Sequence, residues 1–213
     1  IGILLLWLVR PRAVEGVAMA ALLANLGVAL ALLRTVAWSE APVVYLIGGW
    51  QPPLGLALRA DGIAAVFMAM AATVLVPVAL YARGAFGEPG ERRPMVFWTM
   101  LLAISAALNL IFCGQDLFNL YVALELLTFA AVPLVSLDGS RETLKAALRY
   151  LIFALAGSVL YLLGVAIIYG AYGTLDLMGL ASIRGPDGAL LLAIGLMTAG
   201  LAAKTALFPL HLW

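Results

Sequence analysis

Two residues in this sequence have types and settings that call for chemistry. Glu125 lies inside "DLFNLYVALELLTFAAVPLV", residues 116–135, and Lys204 inside "GLAAKTALFPLHLW", residues 200–213. Each is an ionisable group within an otherwise apolar run. Counted from Asp116 at about 1.5 Å per residue, Glu125 is about 14 Å along its helix. Lys204 is about 15 residues along its own. A charge at that depth in a bilayer costs at least about 2.5–3.5 kcal/mol, and such residues face a bundle interior or a water-filled path. One acid and one base can offset each other's burial, because each favours the charged form of the other. A buried ion pair stabilises a fold poorly compared with apolar packing. A purely structural pair therefore explains little, and a proton or ion pathway is the stronger reading.

The neighbours of the two charges fit that chemistry. Tyr121 and Thr128 lie four before and three after Glu125, on its helix face, and offer hydroxyls. Gly200, one turn before Lys204, is expected to leave room for water. Pro209 has no backbone donor for the carbonyl of Thr205, so the helix should break or bend beside Lys204. Irregular backbone at depth is tolerated only where it is enclosed by protein or lines a cavity.

Other polar residues have plainer alternatives. Asp116 reads first as a helix N-cap. Arg149 either joins the pathway or snorkels to the surface. His211 either extends a proton path from Lys204 or sits at the interface. Asn25, Asn109 and Asn119 read as interhelical hydrogen-bonders, and Gly157, Ser158 and Gly164 as small residues for close packing.

The elements that must position these groups follow from composition. Of 213 residues, 65% are hydrophobic and 11% charged, against roughly half and a quarter in soluble domains. The excess is spread along the chain, as in an all-α polytopic membrane protein. Apolar runs place helices at 1–9 (truncated), 14–36, 61–83, 95–113, 116–137, 149–169 and 189–207, seven in all. The stretch "VVYLIGGWQPPLGLALRAD", residues 43–61, reads as a β-hairpin outside the bilayer. "DGSRETLKAALRY", residues 138–150, reads as a short amphipathic helix on the cytoplasmic surface, leading into the sixth span.

Loops after the first, third and fifth helices hold Arg10, Arg12, Arg83, Arg92, Arg93, Arg141, Lys145 and Arg149. The opposite side holds Arg34, Arg59 and Arg184. The positive-inside rule puts the first group in the cytoplasm and the hairpin outside. No basic run follows a phosphate backbone, so nucleic acid is not an expected partner. With a single cysteine, Cys113, and a single histidine, His211, neither a disulfide framework nor a Cys/His metal cluster is expected. No flavin, haem, quinone or iron–sulfur ligand set is legible, so no cofactor is expected in this chain. The apolar runs at both ends, "IGILLLWLV" and "FPLHLW", make the chain read as a piece of a longer protein.

Three segments carry a resemblance: "GQDLFNLYVALELL", "LKAALRYLIFALAGSVLYLLGVAIIYGAYGTLDL" and "AAKTALFPLHLW". With "GGWQPPLGLALRADGIAAVF" they resemble the antiporter-like membrane subunits. These include the proton-pumping subunits of respiratory complex I, the D-type subunit of Mrp sodium/proton antiporters, and subunits of membrane-bound hydrogenases. The resemblance implies one membrane domain over 1–213, the N-terminal half of a longer subunit. It implies a discontinuous seventh helix and a proton half-channel built on Glu125 and Lys204. It brings Arg149 and His211 in as further pathway positions; the family commonly has a lysine where Arg149 stands. The implied partners are other membrane subunits of an antiporter or redox complex, protons, and sodium as a second candidate ion. The implied location is a prokaryotic inner membrane. A non-transporting scaffold subunit is the main alternative. A retinal protein with Lys204 as its Schiff base lacks a counter-ion one turn before the lysine, where Gly200 stands. An intramembrane hydrolase lacks a Ser–His or paired-aspartate arrangement within the spans.

Overall fold

The computed structural model describes residues 2–8, 13–52, 55–84, 92–182, 185 and 187–207. Its elements run α1 (Gly2–Leu8), α2 (Val14–Ser39), β1 (Val43–Leu46), β2 (Ala57–Ala60), α3 (Gly62–Arg83), α4 (Arg92–Cys113), α5 (Leu117–Val135), α6 (Arg141–Tyr172), α7 (Leu177–Ala181) and α8 (Gly188–Lys204). Among the described residues, five helices are long and apolar enough to cross a membrane: α2, α3, Pro94–Cys113 of α4, α5 and α6. This is the mostly helical membrane fold expected from the apolar runs, with one small sheet. β1 and β2 pair antiparallel, Val43 opposite Ala60 and Leu46 opposite Ala57, which makes the expected hairpin. Gly48 and Gly49 lie between its strands at φ +70° and +79°, a conformation that glycine adopts without steric cost.

Helix starts follow the cap signals. The carboxylates of Asp61, Asp116, Asp176 and Asp187 and the hydroxyl of Ser140 each accept a first-turn backbone N–H. Asp116 is thus the N-cap that its position suggested. Two expectations are corrected here. The amphipathic stretch from Arg141 is no separate surface helix; it continues unbroken into the sixth span as one helix of 32 residues. No proline or glycine interrupts "RETLKAALRYLIFAL", so nothing ends the first turns before the apolar run begins. The second correction is α7, a five-residue helix that the apolar pattern does not reveal, capped by Asp176.

Packing divides the core. Leu6, Leu22, Trp98 and their neighbours fill the space among α1, α2, α3 and α4. Leu117, Tyr161, Val165, Ile168 and Ala193 form a second core among α5, α6 and α8. Between α2 and α4, Asn109 donates to Asn25 at 2.8 Å and Asn25 donates to Ser105 at 3.2 Å, as interhelical asparagines should. Asn119 departs from that expectation: its side-chain nitrogen is buried with no partner among the described residues.

At the far end of the α6–α8 pair, the Tyr172 hydroxyl donates to Asp187 Oδ1 at 2.6 Å while Leu190 N–H donates to the same oxygen at 2.8 Å. The hydroxyl first, and the amide next, hold the Asp187 carboxyl below its ordinary range. A depressed carboxylate contributes stability above its unfolded value near about 4, and that contribution is lost as pH falls through the lower folded value. In detergent, thermal unfolding followed by tryptophan fluorescence should therefore show a midpoint that drops on acidification below about pH 4. Asp187→Asn should flatten that drop; an unchanged profile would sink the assignment.

Candidate functional site: a buried acid–base pair between three helices

Glu125 comes from the middle of α5 and Lys204 from the last residue of α8. Lys204 Nζ lies 2.9 Å from Glu125 Oε1, with the side chains 9% and 12% exposed. The other ion pair among the described residues, Arg83 with Glu15, is at the surface. Lys204 Nζ also donates to Thr128 Oγ1 at 3.2 Å and to the Leu124 carbonyl at 3.3 Å. An ammonium has three N–H donors, and here three acceptors meet them. On the other side, Ser158 of α6 donates its hydroxyl to the same Glu125 Oε1. Its second acceptor is the Ala154 carbonyl, at 3.0 Å. Thr128 and Ser158 are only 3% and 2% exposed.

Three local features fix this geometry. First, α8 stops at Lys204: the N–H of Thr205 turns back to Leu201 O, that of Leu207 to Ala202 O, and Ala206 sits at φ +52°. The expected interruption beside Lys204 is therefore present. Second, α6 and α8 cross glycine against glycine. A Cβ on Gly157 would lie 2.8 Å from Gly200 O and 3.3 Å from Lys204 Cγ. Third, the buried residues of α6 (Ala154, Gly157, Ser158, Tyr161, Gly164, Val165, Ile168) recur at three- and four-residue spacing. That stripe lays Ser158 against Glu125.

The site corrects several sequence expectations. Gly200 leaves no space for water, because the α6 backbone occupies it; its Cβ would lie 2.8 Å from Tyr161 N. Ser158 is a ligand of Glu125 as well as a packing residue, which its small size alone did not signal. Of the two hydroxyls on the Glu125 face, Thr128 reaches the pair, whereas Tyr121 packs into the apolar core with Leu117 and Tyr161. Arg149 is exposed on α6, nine residues before Ser158, a rise of about 14 Å. His211, like Pro209, lies outside the described residues.

What the arrangement can do is hold one proton on a lysine inside apolar surroundings, with an acid and two hydroxyls as the groups that accept it or make way. Residues 114–213, which contain every one of these groups, match the model of the NADH:quinone oxidoreductase/Mrp antiporter transmembrane family. The chain is similar to the antiporter-like membrane subunits of that family. It is 37% identical over 203 residues to NADH-quinone oxidoreductase subunit N of Desulforudis audaxviator, covering 93% of this chain and 40% of that protein. It is 32% identical over 170 residues to the D-type subunit of the Na(+)/H(+) antiporter of Bacillus subtilis, covering 78% of this chain and 34% of that one. Among solved structures it resembles a chain of the membrane-bound sulfane sulfur reductase, an archaeal respiratory membrane complex. That match has a TM-score of 0.89 at 26% identity and covers 100% of this chain and 43% of the other. The chain thus spans about two fifths or less of the length of these relatives, and it is an integral membrane protein of the antiporter-like kind.

Ser158 offers a direct test of the geometry. Ser158→Ala removes one donor from Glu125 and leaves its neighbours in place. It should slow transport by about fivefold to a hundredfold without loss of assembled protein, matching a cost of about 1–3 kcal/mol for an acceptor left short of a donor. Ser158→Thr adds a methyl group beside the crossing and should fare worse than Ser158→Cys. Wild-type rates in Ser158→Ala would show that the bond does not matter to the pair.

Proposed function

We propose that this chain is a proton-translocating membrane subunit in which Glu125 and Lys204 form the working pair of a half-channel. One observation carries the reading: the 2.9 Å pair lies buried in the middle of an apolar bundle, at the residue where α8 ends. Glu125 holds the Lys204 ammonium in place; weakening of the pair by a change at a neighbouring site frees the proton to move on. A helix that stops at the lysine lets its last residue shift without unwinding a whole span. Arg149 stays charged throughout and acts by biasing the pair rather than by releasing a proton. His211, seven residues past Lys204 in the sequence, is taken as a further member of the pathway.

The finer topology belongs to the same reading. α1 and α8 are taken as two further crossings beside the five long spans, in one membrane domain over 1–213. The end of the bundle bearing Arg83, Arg141, Lys145 and Arg149 is taken as cytoplasmic, with the hairpin outside. The membrane is taken as a prokaryotic inner membrane. Partner membrane subunits supply any redox chemistry, and no cofactor is assigned to this chain. Two of the relatives differ in kind, one a subunit of an NADH-quinone oxidoreductase and the other a subunit of a sodium/proton antiporter. A transport experiment separates them. Inside-out vesicles carrying the full-length protein in its complex are loaded with a pH-sensitive dye. Collapse of an imposed pH gradient on sodium addition, lost in Lys204→Ala, identifies an antiporter subunit. A Lys204-dependent gradient built on oxidation of an electron donor identifies a redox-driven pump. Unchanged transport in Lys204→Ala would instead favour a scaffold subunit.

A further inference from the structure

We propose that the hairpin end of the bundle carries a binding site for a zwitterionic phospholipid headgroup, separate from the Glu125–Lys204 pair. Arg59 and Gln115 would hold its phosphate, and Asp176 its ammonium, as phosphatidylethanolamine presents them.

Unmatched polar groups around one cavity carry this. The cavity, about 380 Å³, is lined from the hairpin and from the starts of α5 and α7, and its size suits a small ligand. Arg59 lines it from β2. The Arg59 Nε is buried with no hydrogen-bond partner among the described residues. Its Nη1 donates to the Met178 thioether at 3.1 Å, a weak acceptor. A guanidinium is shaped to grip a phosphate or carboxylate with paired N–H donors, yet among the described residues Arg59 forms no ion pair. Gln115, only 8% exposed, brings a side-chain amide to the same cavity. Asp176 lines it too; its Oδ2 caps α7 by accepting from the Gly179 N–H at 2.8 Å, which leaves Oδ1 for a ligand. An acid and a base thus share one cavity without pairing. A purely anionic ligand would meet Asp176 as a like charge, whereas a ligand with both charges satisfies both residues.

Position along the helices points to a lipid rather than a soluble zwitterion. Arg59 precedes α3, Gln115 precedes α5 and Asp176 follows α6, each within four residues of the span it flanks. Headgroups fill the layer about 5–7 Å deep just outside the hydrocarbon core, which is where such residues lie. Exposed aromatics mark the same level: Trp38 at the end of α2 is 87% exposed, and Tyr45 and Trp50 in the hairpin 66% each. Val44, Leu46 and Met178 give the cavity apolar walls, which suit the glycerol and first acyl carbons. Backbone bonds hold those walls in place. Leu177 N–H donates to Gln115 O at 2.9 Å, Leu117 N–H to Leu175 O at 3.0 Å, and Leu58 of β2 bridges to Gly114. A site formed in advance loses little to ordering when the ligand arrives.

The experiment uses the full-length protein in its complex, delipidated in detergent and titrated with phosphatidylethanolamine or phosphatidylglycerol of matched acyl chains. Native mass spectrometry counts the lipid retained and shows in the same spectra whether the complex is intact. Wild type should retain phosphatidylethanolamine at least about tenfold better than phosphatidylglycerol, which lacks the ammonium. Arg59→Gln removes the phosphate grip and should weaken retention of phosphatidylethanolamine at least about tenfold. Arg59→Lys keeps the charge without the fork and should fall between. Asp176→Asn still caps α7, so its fold is kept, but it should bring phosphatidylethanolamine down to the level of phosphatidylglycerol. Arg34→Gln makes the same charge change at the same end, outside the cavity, and should bind as wild type does. Equal retention of the two lipids by wild type would reduce the site to one for a phosphate group and overturn the zwitterion. Displacement of the lipid by inorganic phosphate or soluble phosphoethanolamine at equal concentration would overturn the lipid as ligand. No saturable retention by wild type, or wild-type retention in Arg59→Gln, would overturn the site.

Discussion

Lys204→Ala in the assembled full-length protein should abolish proton movement, a fall of at least about a hundredfold in initial rate measured with a pH-sensitive dye. The physical argument starts from what alanine leaves behind. Glu125 keeps the Ser158 donor but loses its charged partner among the described residues. An unpaired carboxylate in an apolar interior is costly enough that it takes up a proton instead of staying charged. The site then holds a neutral acid and no carrier. Glu125→Gln attacks the same pair from the other side. The amide is nearly isosteric and still accepts from Lys204 and Ser158, but it supplies no counter-charge to the ammonium.

Both single variants should also lower thermal stability, because removing one partner of a buried pair costs about 3–5 kcal/mol. The double variant Lys204→Ala/Glu125→Gln separates the two effects. With no unpaired charge left, its stability should recover part of the loss, the remainder being the cavity that alanine leaves. Its transport should stay at background. Stability that falls further in the double variant than in either single, or transport that returns, would contradict the assignment.

The sequence made the site legible in proportion to how unusual each residue was. A glutamate and a lysine within apolar spans stand out without any fold in hand, and the pair is together as expected. The cap at Asp116 and the hairpin over residues 43–61 were legible too, because each satisfies a local backbone need. Ser158 and Gly200 were not read correctly, for one shared reason. Their roles depend on which face of α6 meets which face of α8, and a helix that is apolar all round does not announce its partner face. Ser158 and Gly157 look alike as small residues; only the crossing point gives one a hydrogen bond and the other a backbone contact. The continuity of α6 was hidden by its own charges: Arg141, Glu142, Lys145 and Arg149 resemble a surface helix until one sees that nothing breaks it from the span behind.

Gly200→Val should separate α6 from α8 and, with them, Lys204 from Glu125. A Cβ at position 200 would lie 2.8 Å from Tyr161 N and closer still to Gly157 O, and both are backbone atoms. Backbone inside a 32-residue helix cannot yield as a flexible side chain would, so the helices must move apart. Overpacking costs about 1–3 kcal/mol where rotamers absorb it, and more where they cannot. The loss does not stop at packing. Lys204 lies one turn beyond Gly200 and is held to α5 by three hydrogen bonds from its Nζ. A shift of about 1 Å at the crossing is enough to turn a 2.9 Å charged contact into one beyond hydrogen-bond reach. Transport should therefore fall about as far as in Lys204→Ala, and thermal stability of the detergent-solubilised complex should fall with it. Gly195→Ala is the control on the same helix, because a Cβ there meets nothing within 4 Å. It should leave both measurements near wild type, or raise stability slightly through the better helix propensity of alanine. Equal behaviour of the Gly195 and Gly200 variants would mean that the glycine crossing does not set the geometry of the pair.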